Sequence, residues 1–102
     1  MTIKVLMTRK LPPFVRGEEM EMLPKISSIL IELRCMALRQ PGYISGETVR
    51  NTKDHHEYLV ISTWKSLSDW EHWFANPKRK ELEGKIDAIT GNDTEYKVYS
   101  YD

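Results

Sequence analysis

The chain has 102 residues, enough for one domain with a buried core and near the size at which a second subunit adds useful burial. Its 15 Lys and Arg against 15 Asp and Glu leave a formal charge of zero, which excludes the basic excess expected of a dedicated nucleic-acid or membrane-surface binder. A single cysteine, Cys35, excludes an intramolecular disulfide and a zinc site built on paired thiolates within one chain.

Ile3 to Leu11 reads as a strand, with Ile3, Val5 and Met7 on one face and Lys4, Leu6 and Thr8 on the other. Pro12-Pro13 ends it, because proline cannot donate to a ladder and restrains the residue before it. A connection through Arg16 and Gly17 follows. Glu18 to Arg39 has helical spacing, with Leu23, Ile26, Leu30, Leu33 and Ala37 at three- and four-residue steps and Ile29 and Met36 widening the stripe. Pro24 would cost an interior hydrogen bond, so the well-formed helix is expected to start near Leu23 with Pro24 in its first turn. Pro41-Gly42 then stops it and turns the chain into a second strand.

Gln40 to Arg50 and Glu57 to Lys65 read as an antiparallel pair joined by the polar turn Asn51-Thr-Lys-Asp-His-His56. Tyr43 and Val49 alternate with Ile44, Gly46 and Thr48, and Tyr58, Val60 and Trp64 alternate with Leu59, Ile61 and Thr63. Trp64, at a strand end, reads as packing at the sheet edge or at a dimer seam. Ser66 precedes Asp69 by three positions, a capping-box-like start for a short helix carrying Leu67, Trp70, Trp73 and Phe74 on one face. Asn76-Pro77 is a second N-cap with proline at the first helical position. That helix turns Leu82, Ile86 and Ile89 inward and stops at Gly91, while its basic run Lys78-Arg-Lys80, followed by Glu81 and Glu83, reads as a solvated face. Glu95 to Tyr101 closes the chain as a strand, Tyr96 and Val98 on one face and Tyr99 and Tyr101 on the other.

The order β-α-β-β-α-β is that of a ferredoxin-like α+β domain spanning residues 1–102, with a four-stranded antiparallel sheet and its helices on one face. A sheet with one wet face should alternate apolar and polar residues. Here neither face is polar enough, so the face opposite the helices is expected to be covered by a second copy, giving a homodimer joined through the sheet. No leader pattern and no apolar run of membrane length is visible, so a cytoplasmic protein without a membrane partner is expected.

Three stretches carry a family resemblance: Pro41-Gly-Tyr-Ile-Ser-Gly-Glu-Thr-Val-Arg50, Glu57-Tyr-Leu-Val-Ile-Ser-Thr-Trp-Lys-Ser-Leu67, and Trp70, Trp73 and Asn76-Pro77. Together they resemble the antibiotic biosynthesis monooxygenase (ABM) domain family over nearly the whole chain, the terminal strand included. The resemblance implies a dimeric α+β barrel in which each subunit keeps a pocket between sheet and helices. Members include cofactor-independent monooxygenases of polycyclic phenols and quinols, haem-degrading monooxygenases, and proteins without an assigned substrate. The haem-degrading branch uses an asparagine on the first strand, a tryptophan on the second helix and a histidine ten residues later. Trp73 matches the tryptophan, Thr8 falls near the asparagine and Glu83 replaces the histidine. A carboxylate is a poorer match to the imidazole haem iron commonly takes, so no cofactor is expected.

An ionised aromatic substrate can itself donate an electron to oxygen, which leaves the protein to supply an apolar pocket, a base and donors for developing charge. On the resemblance, Trp70, Trp73, Phe74 and Tyr43 are candidate walls, Arg9, Arg34 and Thr8 candidate donors, and Glu83 or His72 candidate bases. Spacing forces none of these roles. Tryptophans at a helical step serve a core equally well, His72 between Trp70 and Trp73 points toward water, and His55 and His56 on a turn lack the spacing of a metal site. Three activities fit: a cofactor-independent monooxygenase of an aromatic small molecule, a non-catalytic binding protein on the same scaffold, and haem binding or degradation.

Overall fold

Alternation and helical spacing are realised as seven elements in a computed structural model that describes residues 1–11 and 19–101. In chain order they are β1 (Ile3–Lys10), α1 (Glu19–Leu38), β2 (Tyr43–Arg50), β3 (Glu57–Trp64), α2 (Leu67–Phe74), α3 (Pro77–Thr90) and β4 (Glu95–Ser100). The strands form one antiparallel sheet in the order β2-β3-β1-β4, the arrangement expected for a β-α-β-β-α-β chain whose second helical region is broken in two. The expected strand break at Pro12-Pro13 and the connection through Arg16 and Gly17 lie outside the described residues.

The breaks have local causes. Ser66 accepts a hydrogen bond from the Asp69 amide at 3.1 Å and donates to the Asp69 carboxylate at 2.8 Å, which starts α2. Asn76 accepts from the Arg79 amide at 3.0 Å and Pro77 follows it, which starts α3. Gly91 ends α3 in the left-handed conformation, φ 71°. Helix α1 departs from expectation: it begins at Glu19 and carries Pro24 inside it. Packing of Ile26 and Leu33 on the sheet outweighs the hydrogen bond that the proline forfeits.

Ile3 and Val5 of β1, Trp64 of β3, Leu33 of α1, Trp73 of α2, and Leu82 and Ile86 of α3 make the core, all on the helix-bearing face of the sheet. Three expectations are corrected here. Trp64 is neither at an edge nor at a seam: β3 is an interior strand, Trp64 is opposite both Ile3 and Tyr43, and it is 1 % exposed. Leu67 is 47 % exposed rather than part of the apolar face of α2. In β2 the pairing shifts between Tyr43 and Ser45, so Tyr43 opposes Trp64 while Ser45 opposes Thr63. The extra residue, Ile44, puts Tyr43 on the helix side with Gly46 and Thr48 and sends Val49 to the other face, as a bulge does.

That other face carries Leu6, Leu59, Ile61, Val49 and Tyr99 by register, and none of the described helices packs on it. No described helix is long and apolar enough to cross a membrane.

Candidate active site

Between the helix-bearing sheet face and the helices lies a cavity of about 390 Å³. Its length is apolar: Val5 and Val60 form the floor, Ile26 and Leu30 of α1 one wall, and Trp70 and Trp73 of α2 another. Phe74 stacks on Trp70 at 4.9 Å and meets the Tyr96 ring edge-on at 5.0 Å, extending the aromatic wall from α2 to β4. Tyr43, turned inward by the bulge, packs edge-on against Trp64 at 5.3 Å.

One end of the cavity is charged and buried. Alternation along β1 places Arg9 on the same face as Val5 and Met7, and Arg9 is 5 % exposed. Its Nη1 and Nη2 donate to the two oxygens of Glu83 at 2.8 and 2.7 Å, a bidentate pair. Arg79 is also buried. Its Nε donates to the Phe74 carbonyl at 2.9 Å, its Nη1 donates to the Tyr96 hydroxyl at 3.0 Å, and the same Nη1 lies 3.8 Å from Glu83. The guanidinium sits 4.4 Å from the centre of the Phe74 ring, a cation–π contact. Burial, seconded by the Glu83 charge, raises the Tyr96 phenol above its ordinary value, while Arg79 and Arg9 oppose the shift. Among the described residues, the buried Nε of Arg9 has no hydrogen-bond partner.

Of the residues expected at a site, Arg9, Arg34, Tyr43, Trp70, Trp73, Phe74 and Glu83 all line this cavity, Arg34 at its exposed rim. Two do not. Thr8 alternates with Met7 and Arg9 and projects from the opposite face, opposite Leu59 and Glu95. His72 is exposed and outside the cavity. His55 and His56 are exposed in the β2–β3 turn, and the described residues hold no group of three or more His, Cys, Asp or Glu arranged for a metal ion. Glu83, at the position of the haem-ligand histidine, has both oxygens hydrogen-bonded to Arg9.

Arg79 and Tyr96 were missed. The run Lys78-Arg-Lys80 was read as solvated, yet only its outer two residues are exposed. A signal was present: with Asn76 as N-cap, residues 79, 82, 83 and 86 recur at the steps of one helical face. Leu82 and Ile86 already marked that face as inward.

A ferredoxin-like sheet with helices on one face, and an aromatic cavity between them that ends in buried guanidinium groups, defines an α+β scaffold with an internal cavity. The sequence model of the antibiotic biosynthesis monooxygenase family matches residues 31–84, more than half of the chain, and the chain belongs to that family. Among solved structures it is similar to SnoaB of Streptomyces nogalater, a cofactor-independent oxygenase, at 15 % identity and a TM-score of 0.76, covering 99 % of this chain and 93 % of that one. A conserved protein from Methanosarcina mazei Go1 superposes with a TM-score of 0.81 at 15 % identity, covering 99 % and 93 %. Rv0793 of Mycobacterium tuberculosis does so at 0.77 and 9 % identity, covering 98 % and 94 %. At these identities the likeness speaks for the fold. No curated protein matches the chain by sequence.

Proposed function

We propose that the cavity binds a flat aromatic molecule, a quinol or polycyclic phenol, and oxidises it with O2 without a cofactor, in a cytoplasmic homodimer joined through the open sheet faces. The observation that carries this reading is the aromatic wall of Trp70, Trp73 and Phe74 running into a buried end where Arg9 and Arg79 supply fixed donors. The substrate supplies all four electrons. In the keto tautomer of a polycyclic phenol a ring CH2 and O2 become a ring C=O and water. In a quinol a ring C–H becomes C–OH as the two hydroxyls become quinone carbonyls, again with one oxygen atom in each product. The wall excludes water and the guanidinium groups stabilise negative charge as it develops on substrate oxygen, where low polarity makes such donors most effective. Glu83 is the carboxylate at the buried end and the base of this reading; each of its oxygens holds one hydrogen bond from Arg9 and keeps a second lone pair for a proton.

The bidentate pair favours one second reading. A carboxylate hydrogen-bonded to Arg9 through both oxygens is placed to hold that arginine, which suits a protein that binds an aromatic ligand without turning it over.

Oxygen uptake by metal-free protein across a panel of quinols and anthrones separates the two. Uptake by the wild type that collapses in Trp73→Ala and persists in His72→Gln supports the oxygenase. Binding without uptake across the panel supports the binding protein.

A further inference from the structure

Two guanidinium groups and one carboxylate face the buried end of the cavity, each from a residue no more than 7 % exposed. Asp87 does not line the cavity and pairs directly with neither arginine; it accepts at 2.9 Å from Thr94 Oγ1, which itself accepts from Arg9 Nη1 at 3.3 Å. Arg34 lines the exposed rim, and Glu47, opposite Ile61, belongs by register to the other face of the sheet. Among the described residues, the buried end therefore carries one positive charge more than it has negative, an arrangement that is costly unless an anion completes it.

Hydrogen-bond capacity points the same way. Glu83 Oε1 and Oε2 are both taken by Arg9, and Oε2 lies 3.5 Å from Thr94 Oγ1. Among the described residues, nothing accepts from Arg79 Nη2. The Tyr96 oxygen already accepts from Arg79 Nη1, so its own proton needs an acceptor elsewhere. Among the described residues, Arg79 Nη2 and the Tyr96 proton have no acceptor, and both oxygens of Glu83 already hold a hydrogen bond from Arg9. A neutral carbonyl would leave the charge standing, and an amine would add to it. A carboxylate matches the sign, the planarity and the number of donors.

We infer that the natural ligand of this cavity is an aromatic acid bound as its anion, its rings along Trp70 and Trp73 and its carboxylate against Arg79 Nη2 and the Tyr96 hydroxyl. The inference deepens the proposed function, since it rests on this cavity being the ligand site. It makes Arg79 and Tyr96 the residues that select the ligand, with Glu83 holding Arg9 in place beside them.

The test compares anthraquinone-2-carboxylate with its neutral carboxamide, read by quenching of tryptophan fluorescence. The wild type is expected to bind the carboxylate at least about ten-fold more tightly, about 1.4 kcal/mol. Arg79→Gln should abolish the preference, Tyr96→Phe should reduce it, and Arg79→Lys should restore part of it. Equal binding of the two probes, binding of neither, or a preference unchanged in both Arg79→Gln and Tyr96→Phe overturns the inference. If Arg79→Gln fails to fold by circular dichroism, Tyr96→Phe, which keeps the ring against Phe74, decides alone. The binding readout needs no turnover, so the two readings fail separately. A carboxylate preference without oxygen uptake retains the acid site and sinks the oxygenase. Uptake of quinols with no carboxylate preference does the reverse.

Discussion

Arg9 and Glu83 stand 74 positions apart in sequence, yet two guanidinium nitrogens of the one meet both carboxylate oxygens of the other at 2.8 and 2.7 Å. The contact joins the central strand β1 to helix α3 across the closed end of the cavity. Removing one member of a buried pair leaves an uncompensated charge, whereas replacing both by apolar groups removes the desolvation cost of the pair. Glu83→Leu should therefore lower stability by about 3–5 kcal/mol in urea unfolding, and Arg9→Met by a similar amount. The double variant should lose less than the sum of the two. Additive losses would show that the two side chains do not act as a pair.

Tyr96 gives the protein an alkaline limit. Its phenol is raised above the ordinary 10.0, first by burial and then by the Glu83 charge. The native state thus holds the proton more tightly than the unfolded chain does. The stability this group contributes is complete below the unfolded value and is lost as pH rises through the folded one. Urea midpoints measured from about pH 8 to about pH 11 should fall in the wild type, and fall less in Tyr96→Phe. Identical alkaline slopes in the two proteins would contradict the assignment.

The layout of the fold was readable because local rules and tertiary packing agree. Ser66, Asn76 and Gly91 sit where capping chemistry wants them, and β1 alternates cleanly enough to put Arg9 beside Val5 and Met7. The same alternation put Thr8 on the opposite face, so its candidacy as a donor, which came from resemblance, had no support in spacing. What was not readable depends on contacts distant in sequence. The bulge at Ile44 shows only in how β2 pairs with β3, and it decides that Tyr43 faces the cavity while Val49 does not. Arg79 looked solvated because its two neighbours are; its partners, the Phe74 carbonyl and the Tyr96 hydroxyl, come together only once α3 lies against β4.

Gly42 holds the turn into β2 for two reasons that can be separated. It has φ 86°, and a Cβ there would collide with the Asp69 side chain of the α2 capping box. Gly91 has φ 71° with open space around it. The left-handed conformation alone costs a non-glycine residue about 1–2 kcal/mol. Gly91→Ala should lose about that much, and Gly42→Ala clearly more, because the collision also disturbs the Ser66 cap. Chemical unfolding of the two variants side by side checks the order; equal losses would mean that Asp69 moves aside freely.

The open sheet face supplies the last prediction, and it bears on whether the protein works as a dimer. Val49 and Tyr99 are 43 % and 50 % exposed there, and Leu6, Leu59 and Ile61 lie between them by register. Lys4, Glu47, Glu95 and Lys97 share that face by register, and an apolar patch with no described helix over it favours a self-complementary two-fold contact. Ile61 lies on an interior strand of that face, so a lysine at this position stays hydrated in a monomer and would be buried without a partner in a dimer. Ile61→Lys should leave the fold and the cavity intact while weakening association on the order of 100-fold, a cost of about 2.7 kcal/mol. Light scattering at micromolar concentration should report a dimer for the wild type and a monomer for the variant. A monomeric wild type would remove the proposed sheet-to-sheet assembly and leave the cavity to a single subunit.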